Sequence, residues 1–352
     1  MKLRHTLMAA AMATAVSLTA TAQAADKPVL LKVPIAFATK LPGLGSTIKW
    51  VGDNINTLSN GQVKMKVYEP GKLVAAFEIL DAVSSGKVNA GYTTAGYWAG
   101  KIPASPLFSA VPFGPEAGEY LAWLYHGNGG KLYQEMYDQA GYNVHVEVCG
   151  VIAPETSGWF TKEINSPEDL NGLKMRFFGL GGQVMQKLGV STSLLPGGEI
   201  FPALEKKAID ATEFSMPAID KLLGFHKIAK FNYFPGWHQQ ATVFELLING
   251  DTWEGMNEHQ QAVVSMICKA GTADSFAYTE AIQAAAMTEN VEKNGVTNKL
   301  WSDEMLALYE KTWNEVAAEQ AAADPFFKKV WDDLTAFRAE YDIWQANAFL
   351  PR

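Results

Sequence analysis

Apolar residues recur along this chain with two alternating periods. Residues 29–37 form a short run rich in Val, Leu and Ile that predicts a strand; a Gly-rich turn follows, and 47–59 carries a helical pattern. Residues 62–68 alternate, with Val63, Met65 and Val67 on one face, which predicts a second strand. A short helix over 77–85 and a strand over 89–94 come next. Strand followed by helix, repeated, predicts an α/β fold with parallel sheets covered on both faces.

A second block opens near Tyr142 with the strand-like YNVHVEVCGVI, then Trp159-Phe160. Ser166 reads as an N-cap followed by Pro167 and two acids, a short-helix start. Residues 173–177 predict a strand, 181–189 a helix and 192–195 extended chain, and the block closes near 210–214. The strand-like TVFELLING after Trp237 returns to the first block, and from Glu254 onward the pattern is almost wholly helical. Two α/β lobes follow: residues 25–149 with about 240–270 in the first and 150–239 in the second, crossed near Gly150 and Trp237. Residues 271–352 form helices that span both lobes. In the last helix Phe327, Val330, Trp331, Leu334, Phe337, Tyr341 and Trp344 make one aromatic stripe, which packs on its own lobes or clamps a second subunit.

The N-terminus changes the setting. A basic start (Lys2, Arg4), an apolar run over 7–22 and the small-x-small triplet Ala22-Gln23-Ala24 read as a secretory signal peptide over 1–24. No other stretch reaches the roughly 20 apolar residues of a membrane helix. The mature chain then carries 27 basic against 37 acidic side chains, a net charge of about −10, which argues against nucleic acid as a partner. An acidic protein that binds an anion must concentrate positive charge locally, so a single buried Arg gains weight. Cys149 and Cys268 are too few for a zinc cluster, and their apolar settings predict two buried free thiols, with a disulfide as the alternative.

Catalytic templates fail. The chain has no G-x-S-x-G, no H-E-x-x-H and no P-loop, its six histidines lack ligand spacing, and GLGG at 179–182 lacks the third glycine of a dinucleotide fingerprint. One segment stands out, NGLKMRFFGLGG: Arg176 ends an apolar strand and precedes a Gly-rich turn, which sets a forked donor suited to a carboxylate at the strand's carboxyl end. Phe37, Leu41 and Phe178 are candidate apolar walls; Tyr97 divides between ligand contact and core packing, Trp159 and Trp237 between core and cleft lining. Glu199 reads as a first-turn acid favouring a helix dipole.

PGLG (42–45), YWAG (97–100), GWF (158–160), LKMRFFGLGG (173–182), LPGGEIFPALEKKAIDATEF (195–214), LGFHKIAKFNYFPGW (223–237) and the helical tail together resemble the TRAP-transporter extracytoplasmic solute-binding proteins. The likeness covers essentially all the mature chain and lies with the branch that binds α-keto and 2-hydroxy acids. It implies a two-lobed periplasmic-binding-protein fold, type II-like, with a helical C-terminal extension. It also implies a periplasmic, non-enzymatic binding subunit that hands a small organic acid anion to membrane permease subunits. By the same resemblance Arg176 holds the ligand carboxylate, while Glu155, Glu213, Gln239 and the Phe214 carbonyl hold a sodium or calcium ion. Tyr97, Phe178 and Trp237 join Arg176, Glu155 and Glu213 as substrate-binding candidates.

The chain departs from the pattern at 155 (Gln in relatives), at 214 (Trp) and at 238–241, where relatives have Trp-Glu-Pro-Gly and this chain has His-Gln-Gln-Ala. A carboxylate thus appears at one ligand position and disappears at another. Arg176, Glu155, Glu213 and a bound monocarboxylate sum to −2, an excess that costs several kcal/mol to bury, so a cation is expected. The competing class is an exported metal-assisted enzyme acting on a carboxylic acid through Glu213.

Overall fold

The computed structural model describes residues 27–350, so the signal peptide read over 1–24 lies outside the described residues. Strand β1 (Val29–Pro34) pairs in parallel with β2 (Val63–Tyr68) across helix α1 (Gly45–Leu58), whose Ile48, Val51 and Ile55 cover the pair. Helix α2 (Ile79–Ser84), strand β3 (Ala90–Thr93) and helices α3 (Ala117–His126) and α4 (Gly129–Gln139) lead to β4 (Val144–Ile152). The chain then builds a second sheet from β5 (Gly158–Phe160), β6 (Lys174–Arg176), β7 (Ser191–Ser193), β8 (Ala211–Thr212) and β9 (Phe231–Phe234). Helices α5 (Gly179–Lys187), α6 (Gly197–Glu205) and α7 (Pro217–Leu223) lie between them. Strand β10 (Thr242–Asn249) returns to the first sheet.

The result is two-lobed. One lobe holds β1-β2 and the order β3-β10-β4, joined by a parallel bridge from Ile35 to Tyr92; the other holds the order β11-β9-β5-β8-β6-β7, where β11 is Thr297–Leu300. The expectation of purely parallel sheets is corrected: β10 runs antiparallel to both neighbours, and β5 antiparallel to β8 and β9. The physical reason is the connection, because β10 arrives directly from the other lobe without the helical crossover that a parallel strand requires.

After α8 (Gly250–Glu254), the 37-residue helix α9 (Glu258–Asn294) packs on β4 and α1 of the first lobe and on α7 of the second. Its start is fixed by Asn257, whose side chain accepts the Gln260 N–H. Cys149 of β4 and Cys268 of α9 form a disulfide, which overturns the expectation of free thiols. The packing of α9 along β4 closes a separation of 119 residues that the sequence gives no means of closing. A further correction concerns the helical tail: β11 (Thr297–Leu300) interrupts it and pairs in parallel with β9 at the sheet edge.

Helix α10 (Asp303–Ala323) lies against α5, and α11 (Pro325–Ala348) doubles back on α3 and α4. Phe327, Val330 and Leu334 of the predicted stripe are buried, Trp331, Phe337 and Tyr341 half-buried, and Trp344 is exposed. Polar ties secure the helix to the first lobe: Trp123 Nε1 donates to Asp333 at 2.8 Å and Arg338 Nε to Glu119 at 3.1 Å.

Inside the first lobe Glu245 of β10 is fully buried beside Tyr133 and Tyr137. Its carboxylate accepts from Tyr133 (2.6 Å), Tyr137 (2.7 Å) and Trp98 Nε1 (3.0 Å), but burial outweighs these donors and pushes its pKa from 4.5 up to about 7. A folded-state pKa above the unfolded value means that the stabilising contribution is complete below pH 4.5 and drains away as pH rises toward 7. That is roughly 3 kcal/mol over the window. Glu245→Gln, which cannot ionise, should reduce the loss of unfolding free energy between pH 5 and 7.5 by a few kcal/mol. Denaturant melts at the two pH values check this; an unchanged pH dependence would contradict it.

Candidate functional site

The chain passes between the lobes at 153–157 and at 235–241, and the two passages lie side by side: the Glu155 N–H donates to the Gln239 carbonyl at 3.1 Å and the Ser157 N–H to the Tyr233 carbonyl at 2.7 Å. Gly236 makes the approach possible, since a Cβ there would stand 2.2 Å from the Glu155 carbonyl oxygen. Glu155, His238 and Gln239 are therefore brought together on the hinge itself. The carboxyl ends of β6 and β8 deliver Arg176 and Glu213 to the same point.

Arg176 is 1% exposed, and its contacts fix it completely. Nε donates to the Leu195 carbonyl (3.1 Å), and Nη1 donates to both the carbonyl (2.8 Å) and Oε1 (2.7 Å) of Glu213. The Phe214 ring lies 5.3 Å from the guanidinium carbon. Nη2 donates to no described residue, and Arg176 lines the cavity between the lobes. Glu213 Oε1 accepts a second bond, from the Phe178 N–H at 2.5 Å. Burial alone would raise the Glu213 pKa, but Arg176, His238 and this N–H outweigh it and hold the carboxyl below its ordinary value.

The remaining oxygens share a pattern. Thr242 Oγ1 donates to Glu155 Oε1 (3.0 Å) and accepts from Gln239 Nε2 (2.7 Å), so one hydroxyl orients two side chains. Glu155, Glu213 and Gln239 each spend one polar atom on a protein partner and leave the other, Oε2, Oε2 and Oε1, buried without one. Buried oxygens without donors are rare and need an explanation; oriented acceptors converging at a hinge fit a hard cation. Glu155 is raised well above the usual carboxylate range by burial, then by Glu213 and Asp220. A positive ion would relieve that repulsion. Phe214, the further ligand candidate, turns its ring to the cavity, and its carbonyl accepts no hydrogen bond from a described residue.

The cavity is closed down to about 20 Å³, room for about one water molecule, and is walled by Phe37, Leu44, Tyr97, Phe178, Phe214 and Phe244. Tyr97 sits in the turn after β3, against Phe37, Phe77 and Phe178, with its hydroxyl pKa raised by burial. Across the cleft, Phe178 of the second lobe lies directly over Gly96 of the first, where a Cβ would stand 2.1 Å from the ring. Trp237 is not brought to this cavity: it stacks on Tyr309 (4.6 Å) and Phe113 (5.7 Å) behind the hinge. Leu41 and Glu199 line the wider mouth, and Trp159 is in the core, donating to Asp220 at 2.8 Å.

The bacterial extracellular solute-binding protein family 7, DctP, matches residues 43–324. The chain belongs to this family. A monocarboxylate 2-oxoacid-binding periplasmic protein of Nostoc is 36% identical to this solute-binding protein over 98% of the chain and 96% of the relative. Among solved structures, a TRAP transporter solute-binding protein from Bordetella bronchiseptica superposes with a TM-score of 0.88 at 29% identity, covering 92% of this chain and 95% of that one. It is a mixed-occupancy dimer with calcium and picolinate in one site. A periplasmic solute-binding protein from Pseudoalteromonas atlantica with bound sodium and pyruvate gives 0.87 at 29% identity, covering 92% and 97%.

In this family 7 protein, sequence reasoning missed Thr242, Asp220, Phe244 and His238. Thr242 and Phe244 lie within the strand-like TVFELLING, and Asp220 belongs to no motif. His238 was visible only as a departure from relatives, inside PGWHQQ.

Proposed function

We propose that this protein captures a small monocarboxylate, an α-keto or 2-hydroxy acid, together with a sodium or calcium ion in the interlobe cleft and delivers it to the membrane permease subunits of a TRAP transporter. The observation that carries the reading is the buried Arg176, whose Nη2 donates to no described residue and which lines one small cavity together with Glu155 and Gln239. Nη2 supplies two donors to the acid's carboxylate. Glu155, Glu213, Gln239 and the Phe214 carbonyl are the residues that would hold the cation, which supplies positive charge to the carboxylate and the neighbouring oxygen. Arg176, two glutamates and the acid sum to −2; calcium neutralises that charge and sodium halves it. The relatives' sodium with pyruvate and calcium with picolinate support the same pairing. Tyr97 and Phe178 close over the acid's side chain, and the small volume favours short acids over sugars.

The remaining assignments follow. Lobe 1 is 25–149 with about 240–270, lobe 2 is 150–239, and the helices of 271–352 bridge them. The leader 1–24 directs the chain to the periplasm. The exposed Ile343 and Trp344 of α11, with Phe349 and Leu350 just beyond its end, support a homodimer through that helix. We read the protein as a carrier and not an enzyme, because its family consists of solute-binding proteins.

A ligand selective for the folded state raises the melting temperature, by about 2.7 kcal/mol of stability at a hundredfold excess over Kd. Pyruvate with calcium should raise it by several degrees and be recovered unchanged; turnover would contradict the carrier reading. Arg176→Ala should abolish the rise, and binding unaltered by that change would remove the central assignment. Gly96→Ala should hold Phe178, and with it the second lobe, off the first, lowering pyruvate affinity about tenfold or more by calorimetry through closure rather than contact. Unchanged affinity would show that the two lobes do not meet at Phe178.

A further inference from the structure

Among the buried polar side chains around the cleft that the function above does not use, His238 stands beside Glu213. It is 1% exposed, and neither ring nitrogen has a hydrogen-bond partner among the described residues. Phe177 (5.0 Å) and Trp237 (5.6 Å) pack edge-on against the ring. Nε2 lies 3.6 Å from Glu213 Oε2, too long for a hydrogen bond. It matches the edge of a coordination polyhedron, since two ligand atoms each about 2.1 Å from a tetrahedral zinc stand about 3.4 Å apart. One atom each of Glu155, Glu213 and His238 all lie within 4.8 Å of one another, and all three residues are buried.

We propose that His238 completes a nitrogen-containing metal site with Glu155 and Glu213, so that this chain binds a zinc-type divalent ion in preference to calcium or sodium. The inference rests on the reading that the cleft holds a cation, and it changes which one. Hard cations take oxygens, six to eight of them for calcium, whereas imidazole favours first-row transition ions. Two carboxylates and one imidazole are three protein ligands, the number found where a zinc ion keeps a fourth position open, here for the acid's oxygens. In an oxidising compartment zinc also brings no redox chemistry of its own.

The test titrates zinc and calcium separately into the EDTA-stripped full-length mature protein, by calorimetry. Zinc should bind at least about a hundredfold more tightly than calcium, and His238→Phe, which keeps the ring packing but removes the nitrogens, should lower zinc affinity at least about tenfold more than calcium affinity. Calcium preferred by the wild type, or both ions weakened alike in the variant, would overturn the inference. If the variant does not fold, crystals of the wild type grown with zinc decide: an anomalous peak at the zinc edge bonded to His238 upholds the site, and a peak elsewhere, or none, refutes it. Pyruvate binding separates the two readings. Wild type that retains pyruvate with calcium yet shows no zinc preference leaves the carrier and sinks the zinc site; zinc held at His238 with no acid retained under either ion does the reverse.

Discussion

The structure turns on the buried ion pair between Arg176 and Glu213, joined at 2.7 Å with essentially no access to water. Burying two charges is expensive, and an isolated pair of this kind is often no more stable than a hydrophobic replacement. What the pair supplies is orientation. Glu213 Oε1 is shared between Arg176 and the Phe178 N–H, which fixes the guanidinium, the turn into α5 and the ring over Gly96 as one unit. With those atoms committed, the free edge of Arg176 and the free Oε2 of Glu213 are left aimed, and ligand charge is met by groups that need not reorganise.

This unit belongs to the second lobe, and its partners belong to the hinge. Glu155 and Gln239 stand on the two passages between lobes, hydrogen-bonded to one another through the backbone and oriented by a single hydroxyl, Thr242. Anything gripping Arg176 and the hinge oxygens together pulls on the segments that bend. The long helix α9 gives the motion a fixed base, because the Cys149–Cys268 disulfide ties it to β4 of the first lobe while its other end lies on α7 of the second. In the proposed reading, closure and ligand capture become the same event, by which a loaded solute-binding protein would be told from an empty one at the membrane.

Much of this was legible in the sequence. The strand end and glycine turn around Arg176 announced a guanidinium in a crevice, and the motifs from PGLG to PGW announced the two-lobed fold and its family. Glu155, Glu213 and Gln239, distant in the chain, lie near one another around the passages between the lobes. What stayed hidden was pairing, which has no one-dimensional signature. Nothing local shows that β10 inserts antiparallel between β3 and β4, that β11 closes a sheet edge within a helical tail, or that Cys149 meets Cys268. His238 was hidden for a different reason: a lone histidine among aromatics looks like core until its two unpartnered nitrogens are seen beside Glu213.

If anion and cation are trapped together, each must strengthen the binding of the other by the same factor. The direct measurement is calorimetric titration of pyruvate into EDTA-stripped protein in sodium-free buffer, repeated with a saturating divalent ion. Joint capture predicts an acid affinity at least about tenfold higher with the ion present, a coupling of about 1.4 kcal/mol or more. The same affinity with and without the ion would mean that Arg176 works alone and that the converging oxygens of Glu155, Glu213 and Gln239 serve no cation.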